Sequence, residues 1–356
     1  MIDDDGRIYN VQQGAPAQGI QVGMLLRSPV NVHSHTFQRA MAGLTERRGP
    51  NPNDNFWTWR QLMFRFLDRL TPEHVEAIAS FVQMEMLEAG YTTNVEFHYL
   101  HHQPGGIPYD NLSEMSERIA AAAAQTGIGL CLLPVHYQFG CRNGGFEVLR
   151  NVVSDGSIHM HLAEQIPEVE EVQQHWGARP VEWALDNIGV DERWCLIHCT
   201  QMQPHEPLQL AASGVVAGLC PITESSLGYG VFDAVRWTDN NRAFAIGSDS
   251  NIRISISEEL RTLDYTQRLR DGTRATLATA DHSTGRRMFE GILRGGAQAA
   301  QRKSGHLEVG YWADMMTLET DSPHMWGRAG DAALDSWVFA GTINLFRMSG
   351  QRAVIW

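Results

Sequence analysis

Residues 30–35, Val-Asn-Val-His-Ser-His, form a short apolar run that ends in two histidines separated by one residue. Residues 158–164, Ile-His-Met-His-Leu-Ala-Glu, repeat this pattern later in the chain. Side chains two residues apart on a strand point to the same face, so each pair of imidazoles can reach a common point. Two adjacent imidazoles at the end of a strand are half of a typical metal site, and their recurrence favours metal binding over chance.

Seven short apolar runs alternate with helix-like segments along the chain, as expected for parallel strands that are buried on both faces. Thr71, Pro72 and Gly90 supply the cap, the first-turn proline and the stop of one helix. A strand–helix order repeated over this length predicts an α/β fold, a (β/α)8 barrel of the TIM type. The predicted strands are Val30–His35, Asn94–Tyr99, Gly129–Val135, Ile158–Glu164, Cys195–Thr200, Val215–Thr223 and Phe244–Asp249.

The two ends of the chain differ in composition from this barrel. Residues 1–28 and 305–356 are rich in glycine and short apolar pairs. They predict a small β-sandwich domain built from both termini, around a barrel at residues 29–304. Within the C-terminal part, residues 305–310 followed by 313–318 predict a hairpin.

The predicted barrel is one strand short. Only 22 residues separate Val135 from Ile158, and a parallel crossover alone takes a dozen or more residues. One strand–helix unit is therefore missing near residues 136–157. Loss of a barrel strand would expose two sheet edges, so segments omitted from the sequence explain the gap better than a true deletion.

Charge excludes one class of function. The 356 residues carry 41 acidic against 28 basic side chains, a formal net charge of −13, which argues against nucleic acid as a partner. No apolar stretch is long enough to span a bilayer. The acidic N-terminus is the reverse of a signal peptide's basic region, and it predicts a cytoplasmic protein without a membrane partner.

Further histidines and an aspartate follow the later strands. His161, His198 and Asp249 stand at strand ends, as His33 and His35 do. In a barrel the carboxyl ends of all strands meet at one rim, where such enzymes have their active sites. Buried histidines bonded to the backbone are a poor explanation for a set that recurs on four strands.

These residues resemble the signature of the amidohydrolase superfamily. Longer stretches resemble, more narrowly, its formimidoylglutamate deiminase family, over the chain from about residue 20 onward. The stretches are residues 31–44, 53–60, 96–99, 161–165, 258–261 and 267–269.

The resemblance implies a zinc enzyme with one Zn²⁺ per chain, Fe²⁺ being the alternative. His33, His35, His161 and Asp249 would bind the metal. The metal would bring the pKa of a bound water toward ~7, so that hydroxide attacks the formimino carbon. Asp249 would also count among the catalytic residues, together with the two residues that would handle protons, His198 and Glu164.

Two residues bear on the number of metal ions and on which histidines bind them. Lys303, the single lysine, lies beyond the last strand and cannot bridge two metals, which favours one metal ion. His159 shares a face with His161, but the family motif His-x-x-Glu selects His161, so a structural role is expected for His159.

The substrate that the resemblance implies is N-formimino-L-glutamate, which is cleaved to N-formyl-L-glutamate and ammonia in histidine degradation by a homodimer. The two carboxylates of this substrate require cations and hydrogen-bond donors, and the planar fork of arginine suits a carboxylate. The implied substrate-binding residues are Gln38, Arg60 and Tyr99.

The chain departs from the family pattern in three places. A segment with a histidine and an arginine at the end of the fourth strand has no match after Val135. Gln201 stands where relatives often have a second histidine, and Tyr229 stands where an acidic residue is common.

Two other functions remain open. The first is another deaminase of the superfamily, acting on a nucleobase or a guanidine-like compound. A neutral base needs stacking aromatic rings, whereas a glutamate derivative needs an arginine near the metal, and Arg60 favours the latter. The second is a non-catalytic zinc-binding protein, which would have no need of His198 and Glu164.

Overall fold

The chain folds as an α/β barrel of parallel strands that alternate with helices. The structure, a computed structural model, describes residues 1–16, 20, 22–47, 54–135, 156–341 and 346–350. The strands are β1 Met24–Arg27, β2 Val30–Ser34, β3 Thr93–His98, β4 Gly129–Pro134, β5 Ile158–Leu162, β6 Trp194–His198, β7 Val216–Leu219, β8 Phe244–Ile246, β9 Met315–Leu318 and β10 Phe346–Gly350.

The seven strands β2 to β8 of the described residues form two parallel sheets, β2-β3-β4 and β5-β6-β7-β8, which meet where the last strand reaches the first. Ser34 and Asp249 form a parallel bridge there. The His35 N–H donates to the Asp249 carbonyl, and the Asp249 N–H donates to the His33 carbonyl, both at 2.9 Å. Gly247 permits this approach, since a Cβ at that position would lie 2.6 Å from the His33 backbone nitrogen.

The opposite seam lies between β4 and β5. Residues 136–155 are outside the described residues. The position near 136–157 at which one strand–helix unit is predicted to be missing therefore lies mostly outside them. Among the residues that are described, the parallel strands are the seven that the sequence predicts.

The predicted strands begin within one residue of the observed ones but run too far. His35, Glu164 and Asp249 lie one to three residues beyond the ends of their strands. The predicted strand Val215–Thr223 is wrong after Leu219, because the chain there turns into a helix that begins at Pro221.

The helix predicted from Thr71, Pro72 and Gly90 is confirmed: the Thr71 side chain accepts from the His74 N–H, and Gly90 ends the helix at φ 100°. The helices are α1 Phe56–Leu67, α2 Pro72–Ala89, α3 Glu114–Thr126, α4 Ile166–Trp176, α5 Pro180–Asn187, α6 Glu206–Ala212, α7 Pro221–Leu227, α8 Ala234–Asp239, α9 Ile256–Asp271, α10 Thr284–Ala299 and α11 Asp331–Asp335, with a 3-10 helix at Thr36–Met41 and a π-helical turn at Ser336–Ala340.

The two ends of the chain meet in a separate antiparallel sheet of order β1-β9-β10. Its register pairs Met24 with Leu318. This one sheet is seen within the described residues, so the second layer of the predicted β-sandwich is not confirmed. The predicted hairpin is wrong, because residues 305–310 form bends and turns and β9 pairs with β1 and β10 instead.

Small and branched side chains fill the barrel interior, among them Val32, Val95, Ile197 and Val216. Burial of this apolar surface holds the strand ends, and therefore the polar residues that follow them, in fixed positions. Within the described part of the chain, no helix has both the length and the apolar character needed to cross a membrane.

Candidate active site

The four predicted metal ligands converge at the rim of the barrel. The Nε2 atoms of His33 and His35 lie 3.6 Å and 3.4 Å from Asp249 Oδ1, and ring nitrogens of His33, His35 and His161 lie within 4.8 Å of one another. Both ring nitrogens of His33 are buried without a hydrogen-bond partner among the described residues. Buried polar atoms normally have partners, so the unpaired His33 nitrogens indicate a place for a bound group. Three imidazole nitrogens and one carboxylate form a donor set that fits a divalent cation such as zinc.

Neighbouring groups orient these side chains. The Phe97 carbonyl lies 2.9 Å from His35 Nδ1, which leaves Nε2 facing the cluster. The Asn251 amide, which is fully buried, donates to Ser34 Oγ and to the His35 and Asp249 carbonyls, each at 3.1 Å. Asn251 could not be identified from the sequence, because no motif marks it.

A buried carboxylate fixes the segment after β2 from the other side. Glu96 accepts from the Thr36 N–H at 2.7 Å, from the Thr36 hydroxyl at 2.9 Å and from the Asn94 amide at 3.1 Å. Burial raises the pKa of Glu96 to about 7, although these donors lower it. Glu96 lies in the stretch 96–99 that carries the family resemblance, and this was the signal for a role beside the site.

Desolvation keeps the three clustered imidazoles, those of His33, His35 and His161, neutral. Burial and the neighbouring histidines hold the pKa of His33 and of His161 well below its usual range, and burial lowers the pKa of His35 to about 4. Burial also raises the pKa of Asp249 to about 7. A neutral imidazole is the form that binds metal, so these three histidines are ready to ligate at neutral pH.

His198 lies among carboxylates. Its Nε2 is 3.7 Å from Asp249 Oδ2 and 3.9 Å from Glu164 Oε1, and its Nδ1 is 3.2 Å from Glu224 Oε1. Burial alone would lower the pKa of His198, but the hydrogen bond to Glu224 and the nearby carboxylates raise it to about 9. Glu224, which no sequence motif marks, also accepts from the Cys220 N–H at 2.8 Å.

Strained backbone marks the same strand ends. Ala163, His198, Cys199 and Asp249 have φ values of 49°, 70°, 50° and 47°. A residue other than glycine rarely adopts positive φ, and such conformations cluster at functional sites. Four of them around one group of ligands support a functional site at this rim.

The predicted substrate-binding residues divide into two groups. Gln38 Nε2 donates to the Tyr99 hydroxyl at 3.0 Å, and the Tyr99 ring lies 5.0 Å from the His35 ring, so these two residues adjoin the cluster. The Arg60 guanidinium instead lies 5.6 Å and 5.2 Å from the rings of Trp57 and Phe64 on α1. Among the described residues no carboxylate forms an ion pair with Arg60.

His159 takes the structural position expected from the sequence. Its Nε2 lies 2.9 Å from the Ala299 carbonyl at the end of α10. Lys303 also lies away from the ligands, and its ammonium group faces the ring of Tyr311 at 5.1 Å.

This fold and this site define a class of metal-dependent hydrolases, and a family model agrees with that class. The model of the amidohydrolase family matches residues 140–351. The chain therefore belongs to the amidohydrolase family, as predicted from its sequence.

Three individual proteins are similar to this chain in sequence or in structure. Formimidoylglutamate deiminase of Pseudomonas aeruginosa is 41% identical over an alignment that covers 96% of this chain and 86% of that protein. A crystal structure of an amidohydrolase from Brucella melitensis superposes with a TM-score of 0.87 and 38% identity, over 99% of this chain and 91% of that one. An adenosine deaminase from Xanthomonas campestris with bound zinc shares the fold, with a TM-score of 0.72 and 21% identity over 90% and 77% of the two chains.

Proposed function

We propose that the protein hydrolyses N-formimino-L-glutamate to N-formyl-L-glutamate and ammonia. The observation that carries this proposal is the convergence of His33, His35, His161 and Asp249 at the barrel rim, with His198 and Glu164 beside them. The similarity to the deiminase of Pseudomonas aeruginosa extends over nearly the whole chain and supports the choice of substrate.

The reaction adds water to the formimino carbon and expels ammonia from the tetrahedral centre. A divalent cation held by the three histidines and Asp249 supplies Lewis acidity, which lowers the pKa of a water molecule. The positive charge of that cation would also lower the pKa of His198, so that its imidazole becomes able to accept a proton.

His198 and Glu164 are proposed to move the protons. His198 Nε2 lies 3.7 Å from Asp249 and 3.9 Å from Glu164, so it borders both the cluster and the second carboxyl group. His198 accepts one proton of the attacking water, and Glu164 donates a proton to the formimino nitrogen. The proton on His198 then passes to the same nitrogen, and the hydroxyl proton of the tetrahedral centre returns to Glu164, so that ammonia leaves and both residues are regenerated. Glu224 holds the far side of the His198 ring and thereby fixes its orientation.

Substrate recognition is proposed to involve Gln38, Tyr99 and Arg60. The first two lie beside His35, where they can donate hydrogen bonds to a carboxylate. Arg60, which has no described carboxylate partner, can pair with one. The proposal includes zinc as the metal, one ion per chain, and a role in histidine degradation for a cytoplasmic homodimer.

The test compares substrates. Purified protein is assayed for ammonia release from N-formimino-L-glutamate and from a panel of neutral nucleobases, with Arg60→Ala beside a control, Arg65→Ala, on the same helix. We expect turnover of the first substrate only, and a KM at least tenfold higher for Arg60→Ala alone. Turnover of a nucleobase in place of formiminoglutamate would favour the alternative deaminase, whose aromatic wall would be Tyr99 and Tyr229.

A further inference from the structure

Tyr229 lies at the centre of the residues proposed to move protons. It is 4% exposed, and its ring contacts the His198 ring edge to face, with centroids 5.1 Å apart and planes at 89°. Burial raises the pKa of the Tyr229 hydroxyl well above its usual range, and the neighbouring Glu164 carboxylate raises this pKa further. On its other side the ring meets Phe56 of α1 at 5.6 Å. One side chain therefore contacts both proton-handling residues and the helix beside the site.

The turn that carries Tyr229 is held from β6. The side-chain amide of Gln201 donates to the Tyr229 carbonyl, and the Gln201 N–H donates to the Ala163 carbonyl at 2.9 Å, beside Glu164. Gly230 has a φ of 124°, and a Cβ there would lie 2.6 Å from Gln201 Nε2. Glycine at 230 is thus required both for its conformation and for the close approach of Gln201.

Gln201 and Tyr229 contact each other, although 28 positions separate them along the chain. A glutamine amide does not titrate, so its hydrogen bond to a backbone carbonyl holds the turn at any pH. A phenol that donates to a carboxylate restricts the rotamers of that carboxylate. Gln201, Tyr229 and His198 are therefore parts of one connected arrangement.

We infer that Tyr229 is a positioning residue for Glu164 and His198, and that Gln201 acts through Tyr229 by fixing its turn. The inference rests on the proposed function for the roles of Glu164 and His198. In this arrangement the Tyr229 hydroxyl donates to the Glu164 carboxylate and restricts its rotamers, while the Tyr229 ring packs against the His198 imidazole and restricts its movement. Small displacements of such groups reduce the rate far more than they reduce binding.

The kinetic test uses Tyr229→Phe, Gln201→Ala and the double variant. Tyr229→Phe keeps the ring and removes the hydroxyl, so we expect kcat to fall about 10- to 100-fold while KM changes less than about threefold. Gln201→Ala should lower kcat in the same way. In the double variant, Gln201→Ala should lower kcat little further than Tyr229→Phe alone, because Gln201 then has no hydroxyl to position.

Matched controls separate this role from loss of folding. Tyr265→Phe removes the hydroxyl of a tyrosine that stacks on Phe339 at 5.8 Å, and Gln203→Ala truncates an exposed glutamine two residues from Gln201. Both should leave kcat and KM unchanged. Multiplicative effects of Tyr229→Phe and Gln201→Ala, or equal losses in kcat and in 1/KM, would overturn the inference.

Crystal structures of the two single variants give a reading that needs no turnover. We expect the Glu164 side chain to adopt a second rotamer in both variants, with the backbone of β6 unchanged. A single, wild-type Glu164 rotamer in both would contradict the inference. If wild-type protein fails to hydrolyse formiminoglutamate, the proposed function fails, and the Glu164 conformation still decides whether Tyr229 positions it.

Discussion

Four histidines of one site have two different electrostatic surroundings. His33, His35 and His161 face one another in a desolvated pocket, which lowers the pKa of each and keeps the rings neutral. His198 faces carboxylates, which raise its pKa to about 9 against the effect of burial. The three neutral imidazoles suit the role of metal ligand, whereas His198 holds a proton near neutral pH and becomes a proton acceptor once the charge of a bound cation lowers its pKa.

Replacement of the fourth histidine should separate metal binding from turnover. We expect His198→Asn to keep the metal content of the wild type, because the proposed ligands are His33, His35, His161 and Asp249. Its kcat should fall about 10²- to 10⁴-fold, the range for loss of a general base. Elemental analysis and steady-state kinetics on the same preparation measure both quantities. A near-native kcat would show that the proton leaves by another route.

Glu96 should make stability fall as pH rises. Its pKa is raised to about 7 in the folded protein, so between about pH 4.5 and 7 the folded state holds a proton that the unfolded state has lost. Its contribution is complete below the unfolded pKa and is lost as pH rises through the folded pKa. Against Glu96→Gln, the wild type should lose about 3 kcal/mol of unfolding free energy over this range.

Urea unfolding of both proteins at pH 4.5 to 7.5 measures that difference. Glutamine keeps the acceptor oxygen for Thr36, and the Asn94 Oδ1, which has no partner among the described residues, can accept from its amide. Glu88→Gln on α2 is the control and should give a constant difference. Parallel curves for wild type and Glu96→Gln would contradict the prediction.

Among individual residues, the sequence predicts those at or just beyond the carboxyl ends of strands, but not the residues that support them. His33, His161 and Asp249 could be predicted because parallel strands bring their carboxyl ends to one rim. Glu224 and Asn251 could not, because their contacts join residues that are 26 and 217 positions apart along the chain. Local periodicity carries no information about such pairs.

Among the elements, the seam between the first and last barrel strands positions the site. The backbone hydrogen bonds between His33, His35 and Asp249 tie ligands from both strands into one rigid unit. The strands themselves follow from their apolar sequences, which is why their starts could be predicted. The predicted strand ends lie too far along the chain. In sequence, His35, Glu164 and Asp249 continue the pattern of their strands, but in the structure the backbone has already turned at these residues.

A methyl group at Gly247 should disrupt this seam. A Cβ there would lie 2.6 Å from His33 N and 2.7 Å from His33 O, which are backbone atoms that cannot rotate away. We expect Gly247→Ala to lower the unfolding free energy by about 3 kcal/mol, the upper range for overpacking. Gly296→Ala is the control, since its Cβ would meet the Val30 side chain at 3.2 Å within a helix, and it should change stability by less than about 1 kcal/mol. Equal stability of the two variants would contradict this account.

For the whole molecule, the barrel is described with seven strands, and the eighth stays a prediction. The alignment with the Pseudomonas aeruginosa enzyme has 392 positions but covers 96% of the 356 residues, so about 50 positions have no residue in this sequence. The histidine and arginine segment that the family resemblance implies at the end of the fourth strand would belong to that unit.

Intact mass spectrometry of the natural protein tests whether the unit exists. If segments are omitted from the sequence, the measured mass should exceed 39.8 kDa by several kDa. Peptide mapping would then find the additional residues between Val135 and Ile158. A mass that matches the 356 residues would mean a true deletion and an open seam beside β4.

The most direct test of the central claim is the product balance of the demetallated and zinc-reconstituted protein with N-formimino-L-glutamate. We expect no turnover after chelation. One zinc per chain should restore the formation of ammonia and N-formyl-L-glutamate in equal amounts, because four ligands and no usable bridging lysine provide for one ion. Unchanged activity after complete removal of metal, or two tightly bound ions per active chain, would contradict the account.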